Sequence, residues 1–174
     1  MIIRLISLSD AKVLSEFYLK NSEHLRDWEP LREEEFHSLA SWSNRVSERV
    51  EEQAKGMSAY FIACSLNDDE VIATCSLTNI VRGPFQACNI GYAISLSYQG
   101  RGIMKRLCSH VINYAFNELG LNRIMANYMP SNDRSEALLN SLGFVREGLA
   151  ERYLKINGVW EDHVLTALIK PDSM

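Results

Sequence analysis

The sequence predicts an α/β (mixed α+β) domain. One central, twisted, mixed and mostly antiparallel sheet of about seven strands carries helices on both faces. Strand-like and helical segments alternate along the chain, an Asn-Gly pair separates the last two strand-like segments, and a glycine-rich turn links a strand to a helix. The expected element order is β α α β β β α β α β β. A strand meander followed by one βαβ crossover implies a mixed sheet.

The elements follow from hydrophobic periodicity and from turn residues. The expected strands, each an apolar or alternating run between turn signals, span 2–7, 58–66, 70–80, 85–96, 122–129, 144–156 and 159–169. The expected helices, each with apolar residues at helical spacing, span 10–21, 33–55, 102–118 and 132–142.

Capping residues support these boundaries. Ser9 or Asp10 is suited to cap the first helix, and Ser131 or Asn132 the last one. Glycines lie just past the other helix ends, at Gly56, Gly120 and Gly143. Asn157-Gly158 is a strong signal for a two-residue hairpin between the last two strands.

Composition narrows the functional class. The chain has 174 residues and a net charge of −4, with 47% hydrophobic and 23% charged residues, as in an ordinary globular protein. We expect one domain over residues 1–174, and the absence of a basic footprint argues against direct nucleic-acid binding. No run approaches the ~20 apolar residues of a membrane span, and Arg4 and Asp10 interrupt the apolar N-terminus, so we expect neither a membrane segment nor a signal peptide.

The cysteines and histidines bear on the location of the protein and on metal binding. Cys64, Cys75, Cys88 and Cys108 lie in apolar runs without a CxxC pair, which predicts free, buried thiols and a cytoplasmic location. The histidines are scattered without the spacing of metal ligands, so no metal site is expected: His24, His37, His110 and His163.

The glycine-rich turn Gln99-Gly100-Arg101-Gly102-Ile103-Met104 lies between an expected strand and an expected helix. A helix N-terminus preceded by glycines favours phosphate binding, because its amides are free and its dipole is positive. The turn does not match the dinucleotide fingerprint GxGxxG, since the third glycine would fall on Lys105. It does not match the P-loop GxxxxGK[ST] either, because it has neither the spacing nor the hydroxyl residue of that pattern. An ordinary strand-helix turn remains the alternative.

The turn resembles the pyrophosphate loop [Q/R]xxGx[G/A] of the GNAT acetyltransferases, with Met104 where glycine or alanine is usual. A second GNAT-like motif, NDRSEALLNSLGF, runs from Asn132 to Phe144, and the element order also resembles the GNAT fold. The stretches LRDWEPLREE, IVRGPFQACNIGY, NRIMANYMPSNDRS and INGVWEDHVLTAL are similar to the RimJ branch, the ribosomal-protein-alanine N-acetyltransferases.

The resemblance implies direct transfer of an acetyl group from acetyl-CoA to an N-terminal alanine amine of a ribosomal protein, through a ternary complex. It implies that acetyl-CoA is bound by Ile94, Ser95, Leu96, Gln99, Gly100, Arg101, Gly102, Ile103, Met104, Lys105, Asn127, Asn132 and Ser135. A backbone N–H within 94–96 would polarise the acetyl carbonyl. The assembling small ribosomal subunit as a partner and a homodimer stay open.

The resemblance also suggests catalytic and acceptor-binding residues. Many GNAT enzymes carry a thiolate-protonating tyrosine at the position of Leu139, so we expect Ser135 to take that role. In related Rim enzymes a glutamate acts as the general base, and the closest position here is Arg152, which cannot take this role. Glu29 and Glu151 are therefore the candidate bases, with His163 as a third. The expected walls of the acceptor site are Trp28, Glu29, Arg82, Tyr128 and Trp160, although each tryptophan could instead be a core residue.

Two other functions remain open at this point. The chain could acetylate a small amine, such as a polyamine or an aminoglycoside, since only the acceptor-side residues would differ. It could also be a catalytically silent acetyl-CoA-binding module, an alternative that Leu139 and Arg152 keep open because each departs from the usual catalytic pattern.

Overall fold

A computed structural model of the chain describes residues 1–172 and contains one sheet of seven strands. The strands are β1 Ile2–Leu5, β2 Ala59–Cys64, β3 Val71–Val81, β4 Ala87–Ile94, β5 Arg123–Tyr128, β6 Val145–Ile156 and β7 Val159–Ile169. Their spatial order is β1-β2-β3-β4-β5-β7-β6. Every neighbouring pair is antiparallel except β4 and β5, which are parallel. The predicted mixed, mostly antiparallel sheet is confirmed.

The helices follow the predicted order, and a short helix that was not predicted follows the first one after Asn21. They are α1 Ala11–Lys20, α2 Ser22–Leu25, α3 Leu39–Ala54, α4 Ile103–Asn113 and α5 Asp133–Ser141. After Asn113, α4 continues as a wider π-helical turn through Glu118. In residues 1–172, no helix combines the length and the apolar character needed to cross a membrane.

The predicted second helix is wrong over residues 33–38. Residues 34–37 form a separate 3-10 turn, and α3 begins only at Leu39. Ser38 separates the two because its backbone is extended and its Oγ accepts a hydrogen bond from the Ser41 N–H at 3.1 Å. The side chain of Phe36 is buried, so its periodicity with α3 reflects burial in the same core rather than a shared helix.

Two hydrophobic cores cover the two faces of the sheet, as alternating residues of β2 illustrate. Phe61 and Ala63 pack into a cluster with Leu107 of α4, whereas Ile62 packs on the opposite face with Trp42 of α3. Leu107 and Trp42 are both fully buried. Helices therefore lie on both faces, which confirms the prediction, and the sheet is held from both sides.

The tail hairpin has the predicted turn. Asn157 and Gly158 have φ angles of 45° and 85°, the left-handed values that a type I′ turn requires. Upstream, β6 bulges between Ala150 and Leu154, where Arg152 has a φ of 47° and its N–H donates to Asp162 Oδ1 at 2.8 Å.

Replacing Leu107 with alanine should lower the free energy of unfolding by about 2–5 kcal/mol, because it leaves a cavity between α4 and the sheet. The matched control is Leu39→Ala on α3, where the side chain is 53% exposed, and it should change the free energy of unfolding by less than about 0.5 kcal/mol. Urea denaturation of both variants measures the difference. Equal losses would contradict this assignment of the core.

Candidate active site

The parallel strands β4 and β5 separate along their length. They pair only where Ala87–Asn89 face Arg123–Met125. Beyond this point β4 continues beside β3 as far as Ile94, and β5 continues beside β7 as far as Tyr128. The result is an open inter-strand gap, bordered by residues 90–94 of β4 and residues 126–128 of β5.

The β4 side of the inter-strand gap has backbone groups that pair with neither β3 nor β5. Ser95 N–H donates to the Ile72 carbonyl at 2.9 Å, and its neighbour Ile94 lies opposite Ala73. Backbone groups of an antiparallel strand alternate between its two sides, so the N–H and C=O of Ile94 and of Tyr92 point away from β3 into the gap. An extended ligand could therefore pair with β4 as an additional strand would.

The glycine-rich turn forms the end of the gap nearest α4. Gly100 and Gly102 have φ angles of 74° and 71°, and a Cβ at either position would meet no other atom within 4 Å. The first backbone hydrogen bond of α4 runs from Arg106 N–H to the Gly102 carbonyl at 3.2 Å. The amides of residues 103–105 therefore precede the helical ladder and are free to bind an anion.

The first turn of α5 lies across the gap from β4. Asn132 Oδ1 caps this helix by accepting the Ser135 N–H at 3.1 Å, as one of the two predicted caps. Burial raises the pKa of the Tyr92 phenol above its ordinary value, and the nearby Ser135 hydroxyl acts in the opposite direction. Arg134 donates a hydrogen bond to the side-chain oxygen of Gln99, which ties α5 to the glycine-rich turn.

A cavity of about 270 Å³ lies on the α1 side of the sheet, between α1, α2 and the loop that follows them. Glu29 lines it, and its Oε2 accepts a hydrogen bond from Arg32 at 3.1 Å. Tyr18 also lines it, and its hydroxyl lies 3.5 Å from Thr74 Oγ1. Because Thr74 is opposite Ala93 on β4, the cavity lies beside the last residues of that strand.

The loop that follows α2 and the β6–β7 hairpin meet on the α1 side of the sheet, although they are far apart in sequence. The Asn157 N–H donates to the Glu29 carbonyl at 2.9 Å. Trp28 on the loop is 40% exposed and Trp160 on the hairpin is 51% exposed. Both tryptophans are thus surface residues rather than core residues. Glu151 is exposed, in the bulge of β6.

Asn127 and His163 are engaged with their neighbours. Asn127 Nδ2 donates to the Tyr153 hydroxyl at 3.3 Å. His163 is buried, and its Nδ1 lies 3.0 Å from the Glu161 carbonyl, which can only accept, so Nδ1 carries the proton. Each contact supports the local strand packing.

Two of the predicted acceptor-binding residues do not line the cavity that contains Glu29. Arg82 binds the Leu119 carbonyl beside the start of β4, at the other end of this strand from Ile94. Tyr128 is buried at 7% exposure in the core under α4 and α5, where its hydroxyl donates to Glu136 at 3.2 Å. Strand alternation places Tyr128 on the same face of β5 as Ile124, which lies in the same core cluster.

Three residues near the gap were not predicted. Tyr92 could have been found, since it lies two residues before Ile94 and therefore on the same face of the strand. Asn21 and His24 reach the end of β4 from α1 and α2, and no motif in the sequence points to them.

The cysteines and the ionisable clusters exclude some chemistry within the described part of the chain. All four cysteines are free and buried, as predicted. Burial raises the pKa of Cys64 and of Cys88 to about 12, which disfavours a nucleophilic thiolate. Among residues 1–172, no group of three or more histidine, cysteine, aspartate or glutamate side chains could hold a metal ion.

Comparison with known proteins gives a consistent result. The family model described as "Acetyltransferase (GNAT) domain" matches residues 1–145. The [ribosomal protein uS5]-alanine N-acetyltransferase of Escherichia coli (strain K12) is 41% identical over 172 residues, which cover 99% of this chain and 89% of that protein. The structure of the ribosomal-protein-S5-alanine acetyltransferase of Vibrio fischeri is 42% identical, with a TM-score of 0.94 over 98% of this chain and 93% of that chain.

A third relative was solved with a cofactor derivative. The structure of Mycobacterium smegmatis RimJ in complex with CoA-disulfide is 30% identical, with a TM-score of 0.90 over 96% of this chain and 80% of that chain.

Proposed function

The chain belongs to the GNAT acetyltransferase family and is an acetyl-CoA-dependent N-acetyltransferase, and we propose that its acceptor is the N-terminal alanine of a ribosomal protein. The observation that carries this proposal is the 41% identity, over 172 residues, to an enzyme that is named for this reaction on ribosomal protein uS5. Residues 1–174 act as one domain in this proposal, since all seven strands belong to one sheet.

The glycine-rich turn holds the pyrophosphate of coenzyme A. The free amides at the start of α4 supply donors, and the positive end of the helix dipole favours the negative charge. Arg101, Lys105 and Arg106 are exposed or half-exposed around this turn and add positive charge. The side chains of Ile103 and Met104 pack against the core instead, so these two residues contribute through their backbone.

The pantetheine arm enters the inter-strand gap and pairs with the free edge of β4. Of the amides at residues 94–96, that of Ser95 is bonded to Ile72 and that of Leu96 to Asn21. The Ile94 N–H faces the gap, which supports it as the donor that polarises the acetyl carbonyl. One such donor contributes roughly 3 kcal/mol to stabilisation of the transition state.

Ser135 protonates the departing thiolate, directly or through a water molecule. Its hydroxyl lies near the phenol of Tyr92, whose pKa is raised by burial. Asn132 accepts the Ser135 N–H through Oδ1, so its amide nitrogen is left to donate to the pantetheine arm. Leu139 is buried in the core and takes no part in proton transfer.

Glu29 is the stronger candidate for the base that takes the proton from the amine. Its carboxylate lines the cavity beside β4, whereas Glu151 is exposed on the β6 bulge and His163 is buried. An α-amine has an ordinary pKa of about 7.7–8.0, so a carboxylate acting through water is a sufficient base. Trp28 and Trp160 border the path along which the acceptor N-terminus enters.

The direct mechanism fits the buried thiols, none of which is suited to carry an acyl group. The acceptor class and the free cysteines together support a cytoplasmic location, where the assembling small ribosomal subunit would present unmodified N-termini. A homodimer is compatible with this arrangement and remains part of the proposal.

Gly102→Val should weaken acetyl-CoA binding at least tenfold by calorimetry, because a side chain at this position would project into the open space that the pyrophosphate needs. Gly120→Val is the matched control, since its φ of 65° imposes similar strain beyond the far end of the same helix. The control should bind acetyl-CoA normally. Equal affinity in both variants would contradict the assignment of the turn.

Ser135→Ala should lower kcat by about tenfold and leave the Kd of acetyl-CoA unchanged, because the hydroxyl acts on the leaving group. The effect is expected at the low end for acid catalysis, since a coenzyme A thiolate leaves readily. Ser141→Ala, at the exposed end of the same helix, is the control. Unchanged turnover in Ser135→Ala would remove Ser135 from the mechanism.

An intact-mass assay tests the acceptor. The protein is mixed with acetyl-CoA and unacetylated small-subunit ribosomal proteins, with spermidine present as a competing acceptor. We expect one acetyl group on the N-terminus of a single ribosomal protein. Acetylation of spermidine alone would overturn the proposal in favour of a small-amine enzyme, and acetyl-CoA binding without any turnover would favour the silent module.

A further inference from the structure

We propose that Asn21 and His24 form a clamp that fixes the end of β4 and thereby positions the Ile94 amide against the acetyl carbonyl. The inference rests on the proposed function, because it assigns a purpose to the Ile94 amide in acetyl transfer. Neither side chain needs to touch the substrate, so both are positioning residues.

The end of β4 needs an additional restraint because it lacks a neighbour on one side. Up to Asn89 the strand is held by β3 and by β5, but from residue 90 onward only β3 pairs with it. The chain then turns away after Ser95 into the glycine-rich turn. A donor that must be aimed at a reacting carbonyl is therefore located on the least supported part of the sheet.

His24 holds this segment from α2. Its Nε2 lies 3.0 Å from the Ile94 carbonyl oxygen. Because a carbonyl can only accept a hydrogen bond, Nε2 carries the proton and donates it. The imidazole thereby replaces the strand neighbour that β4 lacks at this position.

The contact also limits how far a ligand can pair along β4. The gap-facing groups of the strand include those of Tyr92, followed by the N–H and then the C=O of Ile94. His24 occupies the last of these, the Ile94 carbonyl. An extended ligand can therefore pair no further than the Ile94 N–H, so this amide is left for the group at the end of the pantetheine arm.

Asn21 holds the next residues in the same way. Its Oδ1 accepts the Leu96 N–H at 3.0 Å, and its Nδ2 donates to the Phe17 carbonyl in the last turn of α1 at 2.8 Å. Asn21 is only 4% exposed, so these bonds are shielded from water. Together the two side chains tie residues 94–96 to α1 and α2, the helices that also line the acceptor-side cavity.

The pair of variants His24→Ala and His24→Gln tests the clamp. The alanine removes the donor. The amide nitrogen of glutamine is about as far from the backbone as Nε2 of histidine, so it can donate to the same carbonyl. We expect His24→Ala to lower kcat about tenfold to a hundredfold with little change in the Kd of acetyl-CoA, and His24→Gln to recover most of the activity. The acceptor is a peptide that begins at the N-terminal alanine of ribosomal protein uS5.

His110→Ala is the control, since it removes an exposed histidine from α4 and should leave kcat unchanged. Wild-type turnover in His24→Ala would overturn the proposal. Equal losses of activity in His24→Gln and His24→Ala would also overturn it. That result would indicate that His24 transfers a proton, a role that an amide cannot take over.

Nuclear magnetic resonance provides a test that needs no turnover. The ¹⁵N resonances of the imidazole should report the Nε2–H tautomer of His24 in the protein without ligands. The backbone amide resonances of residues 94–96 should shift in His24→Ala and return toward their original positions in His24→Gln. An Nδ1–H tautomer, or unchanged amide resonances, would overturn the clamp. If the wild-type protein acetylates no ribosomal peptide, the acceptor proposal fails while these spectra still decide the clamp.

Discussion

The separation of β4 from β5 is the constraint on which the rest of the active site depends. Two parallel strands that paired along their whole length would have no free edge, and the amides of Tyr92 and Ile94 would be used within the sheet. Because pairing stops after Asn89 and Met125, those groups face an open gap. The gap is costly to keep open, since free backbone groups are stable only if water or a ligand satisfies them.

The neighbouring elements compensate for this interruption. Each of the separating strands keeps an antiparallel partner, β3 for β4 and β7 for β5, so neither is free on both sides. The core under α4 spans both strands, with Ile90 and Ala126 in the same cluster. Packing on the α4 side therefore bridges the two strands where they no longer pair with each other.

Local signals made the fold and the conformation of the glycine-rich turn predictable from the sequence. The Asn-Gly turn, the glycines of the strand-helix turn and the Asn132 cap each specify a conformation within a few residues, and the structure contains all three. The predicted helix was wrong where long-range packing decides. Phe36 has helical spacing with α3 because it is buried in the same core, but it lies in a separate 3-10 turn. No local pattern predicts the contact of His24, because its partner Ile94 lies seventy residues away in the sequence.

The acceptor side is less predictable because it combines segments from the two ends of the chain. The Glu29 carbonyl and the Asn157 N–H meet only after the sheet has formed, and no local pattern encodes that contact. The general GNAT model matches residues 1–145, whereas the hairpin that carries Trp160 begins at Val145 and extends beyond it. In the proposed function, the residues assigned to the cofactor therefore lie within the part matched by the family model, whereas Trp160, assigned to the acceptor path, lies outside it. A change of acceptor could then arise in the hairpin and the Trp28 loop while the gap, the turn and the end of β4 stay unaltered.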